Sequence, residues 1–351
     1  MNEEEATYAL KTMNYIRRIE NKAAELYRAR LINGFLHLYS GQEAVAVGMK
    51  MSMAGADSLI TAYRCHGFAV VFGVSARQVL AELMGRRTGI SKGKGGSMHM
   101  YATGFYGGDG IVGGQVPIGA GLGFAHKYNG TGGVAWTLYG DGAASQGQVY
   151  EAYNMSKLWN LPVVYVCENN QYGMGTAAHR HSANTAFYTR GDLIPGVKVN
   201  GMSVLDVREA VKFAREHALR NGPIILEMDT YRYYGHSMSD PGTSYRTRDE
   251  TKRVQAEQDP ISTLAELLAK NGLKTEKEIE ASVLRFQFLF PFSFSPSFLS
   301  AAPSHSVLRY SLSNRKYEAA FGRKWTRNWK RRNRTHFRSW RTSRSTYTRI
   351  R

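Results

Sequence analysis

Two runs decide the fold of this 351-residue chain. They are Val134-Ala135-Trp136-Thr137-Leu138-Tyr139, leading into Gly140-Asp141-Gly142, and Pro162-Val163-Val164-Tyr165-Val166-Cys167, leading into Glu168-Asn169-Asn170. Each is a β-rich apolar run that ends in a polar or glycine turn, the pattern of a buried parallel strand. Gln148 to Trp159 between them reads as a helix, so the segment is one strand–helix–strand unit. Such a unit sets Asp141 and Asn170 at the carboxyl ends of two strands of one sheet, where open α/β sheets bind ligands. The expected class is α/β, with a mostly parallel sheet flanked by helices on both faces. A carboxylate, an amide oxygen and a nearby backbone carbonyl are hard donors suited to magnesium that also holds a phosphate.

Outward from this unit, Glu3 to Ile32 reads as an amphipathic helix, with Leu10, Met13, Ile16, Ile19, Ala23 and Leu26 near helical spacing. Residues 84–123 are glycine-rich and read as loops that approach a ligand closely rather than as long elements. Leu205 to Arg220 is a second amphipathic helix, acidic near its start and basic near its end. Pro223 to Met228 is a strand, Asp229 to Glu250 a polar loop, and Ile261 to Lys270 a helix. Ser91-Lys92-Gly93-Lys94-Gly95-Gly96-Ser97 lacks the spacing of a phosphate loop, and Gly119, Gly121 and Gly123 lack that of a dinucleotide fingerprint.

The net charge of +18 is unevenly placed. Residues 285–351 hold 16 Lys and Arg against one acidic residue, Glu318, hence +15; residues 1–284 hold 30 basic and 27 acidic residues, hence +3. From Phe286 to Ser300 every residue but Gln287 is Phe, Ser, Leu or Pro, which share pyrimidine-rich codons. The run reads as a translated polypyrimidine tract, followed by an out-of-frame, Arg-rich ending without apolar periodicity. The expected organisation is a functional body, 1–284, and an aberrant basic tail, 285–351. Reading the tail as an arm that binds nucleic acid is the minor alternative. Cys65 and Cys167 give no disulfide framework and fit a reducing compartment. No uninterrupted apolar segment is long enough to span a bilayer, so no membrane partner is expected.

The flanks of the opening unit make a resemblance specific. GDGAASQGQVYEAYNMSKLWNLPVVYVCENNQYGMGT at 140–176 resembles the alpha subunits of thiamine diphosphate-dependent 2-oxo acid dehydrogenases of the pyruvate type. So do HLYSGQEAVAVG at 37–48, YRCHG at 63–67, GKGGSMHMYATGFYGGDGIVGGQVPIGAG at 93–121 and YRYYGHSMSDPGTSYRTRDE at 231–250. The resemblance covers residues from about 8 to about 280.

This resemblance implies the thiamine diphosphate-binding fold. It also implies oxidative decarboxylation of pyruvate with transfer of the acetyl group to a lipoyl disulfide, leading in the whole complex to acetyl-CoA and carbon dioxide. By the same resemblance, Asp141, Asn170 and the Tyr172 carbonyl hold Mg2+ against the diphosphate, and Gly142 and Ala143 offer N–H groups at a helix start. Tyr63 and Arg64 contact the diphosphate. Ala102, Gly110 and Val112 line the cofactor. His236 lies near the cofactor and the substrate path, His37 on the substrate side, and His66 either takes part or stabilises its loop. Ser237 and Ser244 match serines phosphorylated by a dedicated kinase and released by a phosphatase, while the third such position is Ala177. The glutamate that activates the cofactor comes from a beta subunit in an α2β2 assembly, and the acyl acceptor is the lipoyl domain of a dihydrolipoyl acetyltransferase. The implied location is the mitochondrial matrix. Glu3, Glu4 and Glu5 are the opposite of an Arg-rich presequence, so no leader is visible. Alpha subunits acting on branched-chain 2-oxo acids or acetoin carry similar motifs and are the alternative within the class.

Overall fold

The computed structural model describes residues 1–273; the expected tail boundary at 284/285 lies outside them. The chain opens with α1 (Glu3–Arg28), α2 (Glu43–Ser52), β1 (Ser58–Ala62), α3 (His66–Val71) and α4 (Ala76–Leu83). Next come β2 (Phe105–Asp109), α5 (Gln115–Asn129), β3 (Ala135–Gly140), α6 (Gly147–Leu158) and β4 (Val163–Asn169). The described residues end with α7 (Ala178–His181), β5 (Gly196–Asn200), α8 (Val204–Asn221), β6 (Ile224–Asp229), α9 (Arg248–Gln258) and α10 (Pro260–Lys270).

Helix α1 starts at a capping box in which the Asn2 side chain and Glu5 satisfy each other's backbone N–H groups. All six of its periodic apolar residues are buried. It stops at Arg28, short of the expected Ile32. Arg30 adopts φ 60°, and the Leu31 N–H turns back to the Leu26 carbonyl at 3.0 Å, closing the end in a Schellman arrangement. No glycine marks this stop, so spacing alone ran past it.

The six strands pair in parallel in the order β2-β1-β3-β4-β6-β5. Alternation along each strand sorts its side chains between two cores. Trp136, Leu138, Val164 and Val166 join the core shared with α1, α2, α3, α4, α8 and α10. Ala135, Tyr139, Val163, Tyr165 and Cys167 join the opposite core, with α5 and α6. Helices thus cover both faces, as expected. Strand order reverses direction between β1 and β3, so the carboxyl ends of these strands frame the crevice where such sheets take ligands.

The glycine-rich stretch 84–123 corrects the sequence reading. Residues from Gln115 onward form α5, a helix of 15 residues, and Phe105–Asp109 is a strand. Glycine weakens a helix by about 1 kcal/mol relative to alanine, yet here it lets α5 touch the sheet. A Cβ on Gly119 would lie 2.0 Å from Thr137 Oγ1, and one on Gly123 2.3 Å from Val163 Cγ2. Cys65 and Cys167 are both buried and free, and no helix among the described residues is long and apolar enough to cross a membrane.

Candidate cofactor and active site

Asp141 directly follows β3, and Asn170 directly follows β4; Gly140 and Glu168 are register partners, so the two donors project from the same sheet edge. Asp141 is 1 % exposed, and its Oδ2 has no hydrogen-bond partner. His181 Nε2, 3.5 Å away, is likewise unpartnered. Asn170 donates its Nδ2 to Gln42 Oε1 at 3.1 Å, which leaves Oδ1 facing Arg232. Gln171 then adopts φ 73°, held by its N–H to Asn169 Oδ1 at 3.1 Å and by its Nε2 to Asp229 Oδ1 at 2.7 Å. This turn brings the Tyr172 carbonyl beside Asn170 Oδ1. One atom meets both: Arg232 Nη1 donates to Asn170 Oδ1 at 2.8 Å and also to the Tyr172 carbonyl.

The cradle therefore consists of oxygen atoms and already attracts a cation. Arg232 is 1 % exposed, and its Nη2 donates to the Gly173 carbonyl at 3.2 Å and to Tyr245 Oη at 3.0 Å. Gly142 and Gly173 face each other closely; a Cβ on Gly142 would stand 3.3 Å from Gly173 Cα. An orphaned buried carboxylate oxygen, two oxygens shared by a cation and a glycine wall fit a hard metal ion carrying an anionic group. Among the described residues no cluster of three or more His, Cys, Asp or Glu forms a metal centre, so the fit depends on amide and backbone oxygens. Gly142 and Ala143, expected at a helix start, stand at the opening of a short one. They enter a 3-10 turn, Ala143–Ser145, and α6 starts only at Gly147.

Beside the cradle, three sequence candidates form one aromatic group. The His37 ring lies 4.6 Å from Tyr63 and 5.5 Å from His236, centroid to centroid, and Tyr63 lies 5.4 Å from His236. Arg64, buried, draws the segments together, with Nη1 donating to the Leu38 carbonyl at 2.6 Å and Nη2 to the His236 carbonyl at 2.9 Å. Burial, followed by the charge of Arg232, lowers the Arg64 pKa to about 10. Burial first and then Arg64 lower His37 to about 2 and His236 to about 3, so both rings are neutral at physiological pH. The Nδ1 atoms of both are buried without partners.

His66 stands apart from this group. It is fully buried, with Nδ1 2.9 Å from Glu20 Oε1 and Nε2 2.9 Å from Ser97 Oγ, so both ring nitrogens are engaged within the protein. Of its two sequence readings, this geometry serves loop stabilisation. Ala102, Gly110 and Val112 surround β2: Ala102 bridges Phe105, Gly110 follows the strand, and Val112 is 43 % exposed. Ser237 is buried and its Oγ meets Ser239 Oγ at 2.7 Å, whereas Ser244 is exposed.

The structure adds residues that the sequence reading passed over. Arg232 is the foremost. Glu168 is buried beneath the cradle, accepting from Tyr39 Oη at 2.6 Å and from Gln42 Nε2 at 3.2 Å, and burial raises its pKa to about 7. Asp240 gathers the 236–245 loop: its carboxylate accepts the His236 N–H at 2.7 Å, the Gly242 N–H at 2.8 Å and the Tyr245 hydroxyl. Each lies within a quoted motif, but only the folded contacts reveal what it does.

A family model described as dehydrogenase E1 component matches residues 11–285. The chain is 59 % identical over 272 residues to the mitochondrial pyruvate dehydrogenase E1 component subunit alpha of Saccharomyces cerevisiae, covering 77 % of this chain and 65 % of that protein. It is 56 % identical over 282 residues to the probable counterpart of Caenorhabditis elegans, covering 80 % and 71 %. It is 55 % identical over 269 residues to the human somatic form, covering 76 % and 69 %. The chain thus spans about two thirds of the length of the curated relatives it matches. The matched family is thiamine diphosphate-dependent. On this match and these identities, the chain belongs to the dehydrogenase E1 component family.

Proposed function

We propose that this chain is the alpha subunit of a pyruvate dehydrogenase, the decarboxylating component of a mitochondrial 2-oxo acid dehydrogenase complex, with residues 1–284 as its functional body. The observation that carries the reading is the set of oxygens after two paired strands: a buried, unpartnered Asp141 Oδ2 following β3, and Asn170 Oδ1 and the Tyr172 carbonyl, which share Arg232 Nη1, following β4. These three groups would hold Mg2+ and, through it, the diphosphate. When bound, thiamine diphosphate supplies the electron sink for loss of carbon dioxide from a 2-oxo acid. Arg64 and Arg232 give the crevice a positive potential suited to an anionic cofactor and substrate. Tyr63, with the backbone of Gly142 and Ala143, would complete the diphosphate contacts, and Ala102, Gly110 and Val112 the walls around the rest. Neutral His37 and His236 each leave one ring nitrogen free to accept or donate a hydrogen bond to the substrate.

Partner chains complete the proposal. Ile118 and Phe124 on α5, Tyr128 at its end, and Tyr150 and Trp159 along α6 and its cap are exposed, which supports a covered interface with a beta subunit in an α2β2 assembly. That subunit would bring the activating glutamate, and the lipoyl domain of a dihydrolipoyl acetyltransferase would accept the acetyl group. A phosphate on buried Ser237 would break its contact with Ser239 and place charge beside His236, giving a kinase and phosphatase a point of control, with Ser244 an accessible second position. Mitochondrial location follows the names of the relatives.

The test is co-expression with a beta subunit and measurement of carbon dioxide release from pyruvate and from 3-methyl-2-oxobutanoate, with thiamine diphosphate and Mg2+. Preference for pyruvate by about 100-fold or more in kcat/KM is expected. Preference for the branched substrate, or no cofactor-dependent release, would overturn the proposal.

A further inference from the structure

The run from Ser91 to Ser97 lacks phosphate-loop spacing, yet it folds as a nest for an anion, and that anion is internal. Glu82, in the last turn of α4 and fully buried, turns its carboxylate into the loop. Its Oε2 accepts the N–H groups of Ser91 at 2.7 Å and Gly93 at 2.9 Å; its Oε1 accepts those of Gly95 at 2.7 Å and Gly96 at 3.1 Å. Four backbone donors satisfy one carboxylate, and among the described residues Glu82 makes no ion pair. The glycines are needed for this wrap: a Cβ on Gly89 would lie 2.4 Å from Glu82 Oε2, and Gly93 and Gly96 have φ +77° and +60°.

The far end of the loop reaches the active-site side. Ser97, 3 % exposed, uses Oγ to accept the His37 N–H at 3.0 Å and to meet His66 Nε2 at 2.9 Å, while its carbonyl accepts from Cys65 Sγ at 3.4 Å. His37 in turn packs on Tyr63 and His236. We infer that Glu82 is a positioning residue for His37, acting through the loop 91–97 and Ser97. The inference rests on the substrate-side role proposed above for His37. It makes Glu82 replaceable by a small carboxylate, because the four N–H groups remain when the side chain is cut back. Arg86, Arg87, Lys92 and Lys94, all exposed around the loop, favour entry of an anion.

The test is chemical rescue of Glu82→Ala in the full chain co-expressed with a beta subunit, using formate as the probe and formamide and chloride as controls. Hydrogen exchange is followed in peptides covering residues 91–97 and 35–39, alongside pyruvate kinetics. Exchange should quicken in both peptides, and formate, but neither control, should restore protection with saturation. KM for pyruvate should rise about tenfold and return to within about threefold of the starting value with formate, kcat changing less. Ser97→Ala should reproduce the KM change without loosening 91–96 and without response to formate. If Glu82→Ala does not fold, Glu82→Gln serves: its amide can accept at one oxygen only, so protection should fall in 91–97. Formate without effect, unaltered exchange at 35–39 in a loosened loop, or full protection in Glu82→Gln would each overturn the inference. Should exchange behave as expected while the unaltered protein fails to release carbon dioxide from pyruvate, the proposed function falls and the positional link stands.

Discussion

At the ends of β3 and β4, oxygen donors converge on the Arg232 guanidinium, whereas in the adjoining group His37 and His236 stand neutral with unpartnered Nδ1 atoms. The first side is assembled from two neighbouring strands of one crossover. The second is gathered from segments that follow α1, β1 and β6 and are tied by Arg64. The same two arginines act oppositely on them. Arg232 compensates the polar atoms of the cradle, and together with Arg64 it disfavours charge on the imidazoles. Polar pre-organisation therefore comes in two forms here, one that holds a cation and one that refuses a proton.

The comparison breaks most readily at the group the two sides share. Arg232→Met removes the donor to Asn170 Oδ1 and to the Tyr172 and Gly173 carbonyls, leaving them unpaired in the interior. A loss of about 3 kcal/mol in urea unfolding of the ligand-free protein is expected. A loss under about 1 kcal/mol would mean that water serves these oxygens equally well.

Asp141→Asn separates binding from folding on the oxygen side. Mn2+ affinity in the presence of thiamine diphosphate, followed by electron paramagnetic resonance, should fall by about 100-fold. Melting of the ligand-free protein should hold or rise, because the Asp141 oxygen has no hydrogen-bond partner to lose. A parallel drop in melting and affinity would show that Asp141 is a structural acid.

The smallest effect per step, and the sharpest for the histidine side, is the pH dependence of stability. Folded-state values of about 2 for His37 and about 3 for His236 lie below the ordinary histidine value. The unfolded chain thus binds the extra protons, and these groups contribute fully above about pH 6.5. As pH falls from there toward 3, each should remove about 1.4 kcal/mol per pH unit. The double variant His37→Asn, His236→Asn should flatten that slope in unfolding measured at pH 7, 6 and 5; an unchanged slope would place the titration elsewhere.

These contrasts explain what could be read from the chain. The β3 and β4 runs and the donors after them were legible because strand, turn and donor are contiguous, and the crossover fixes where they meet. Helix α5 was not, since Gly119 and Gly123 argue locally against a helix and gain their value only against Thr137 and Val163. His37, Tyr63 and His236 were found by motif, but their mutual contact depends on segments far apart in sequence. Arg232 and Glu82 were overlooked for a related reason: nothing near them in sequence shows that one would face a carbonyl and an amide oxygen, and the other a fold of glycine N–H groups.

The all-parallel strand order also bears on how the chain reaches this state. Parallel neighbours cannot be joined by a tight hairpin, so every pairing requires closure of a crossover or of a longer loop, at an entropic cost that grows with length. β3 and β4 are separated only by residues 141–162, with α6 inside, whereas β1 and β3 are separated by residues 63–134. The strands that present Asp141 and Asn170 are among the least expensive in the sheet to unite, and the histidine group waits until β6 has been laid beside β4. The order of assembly favours the oxygen cradle before the histidine group.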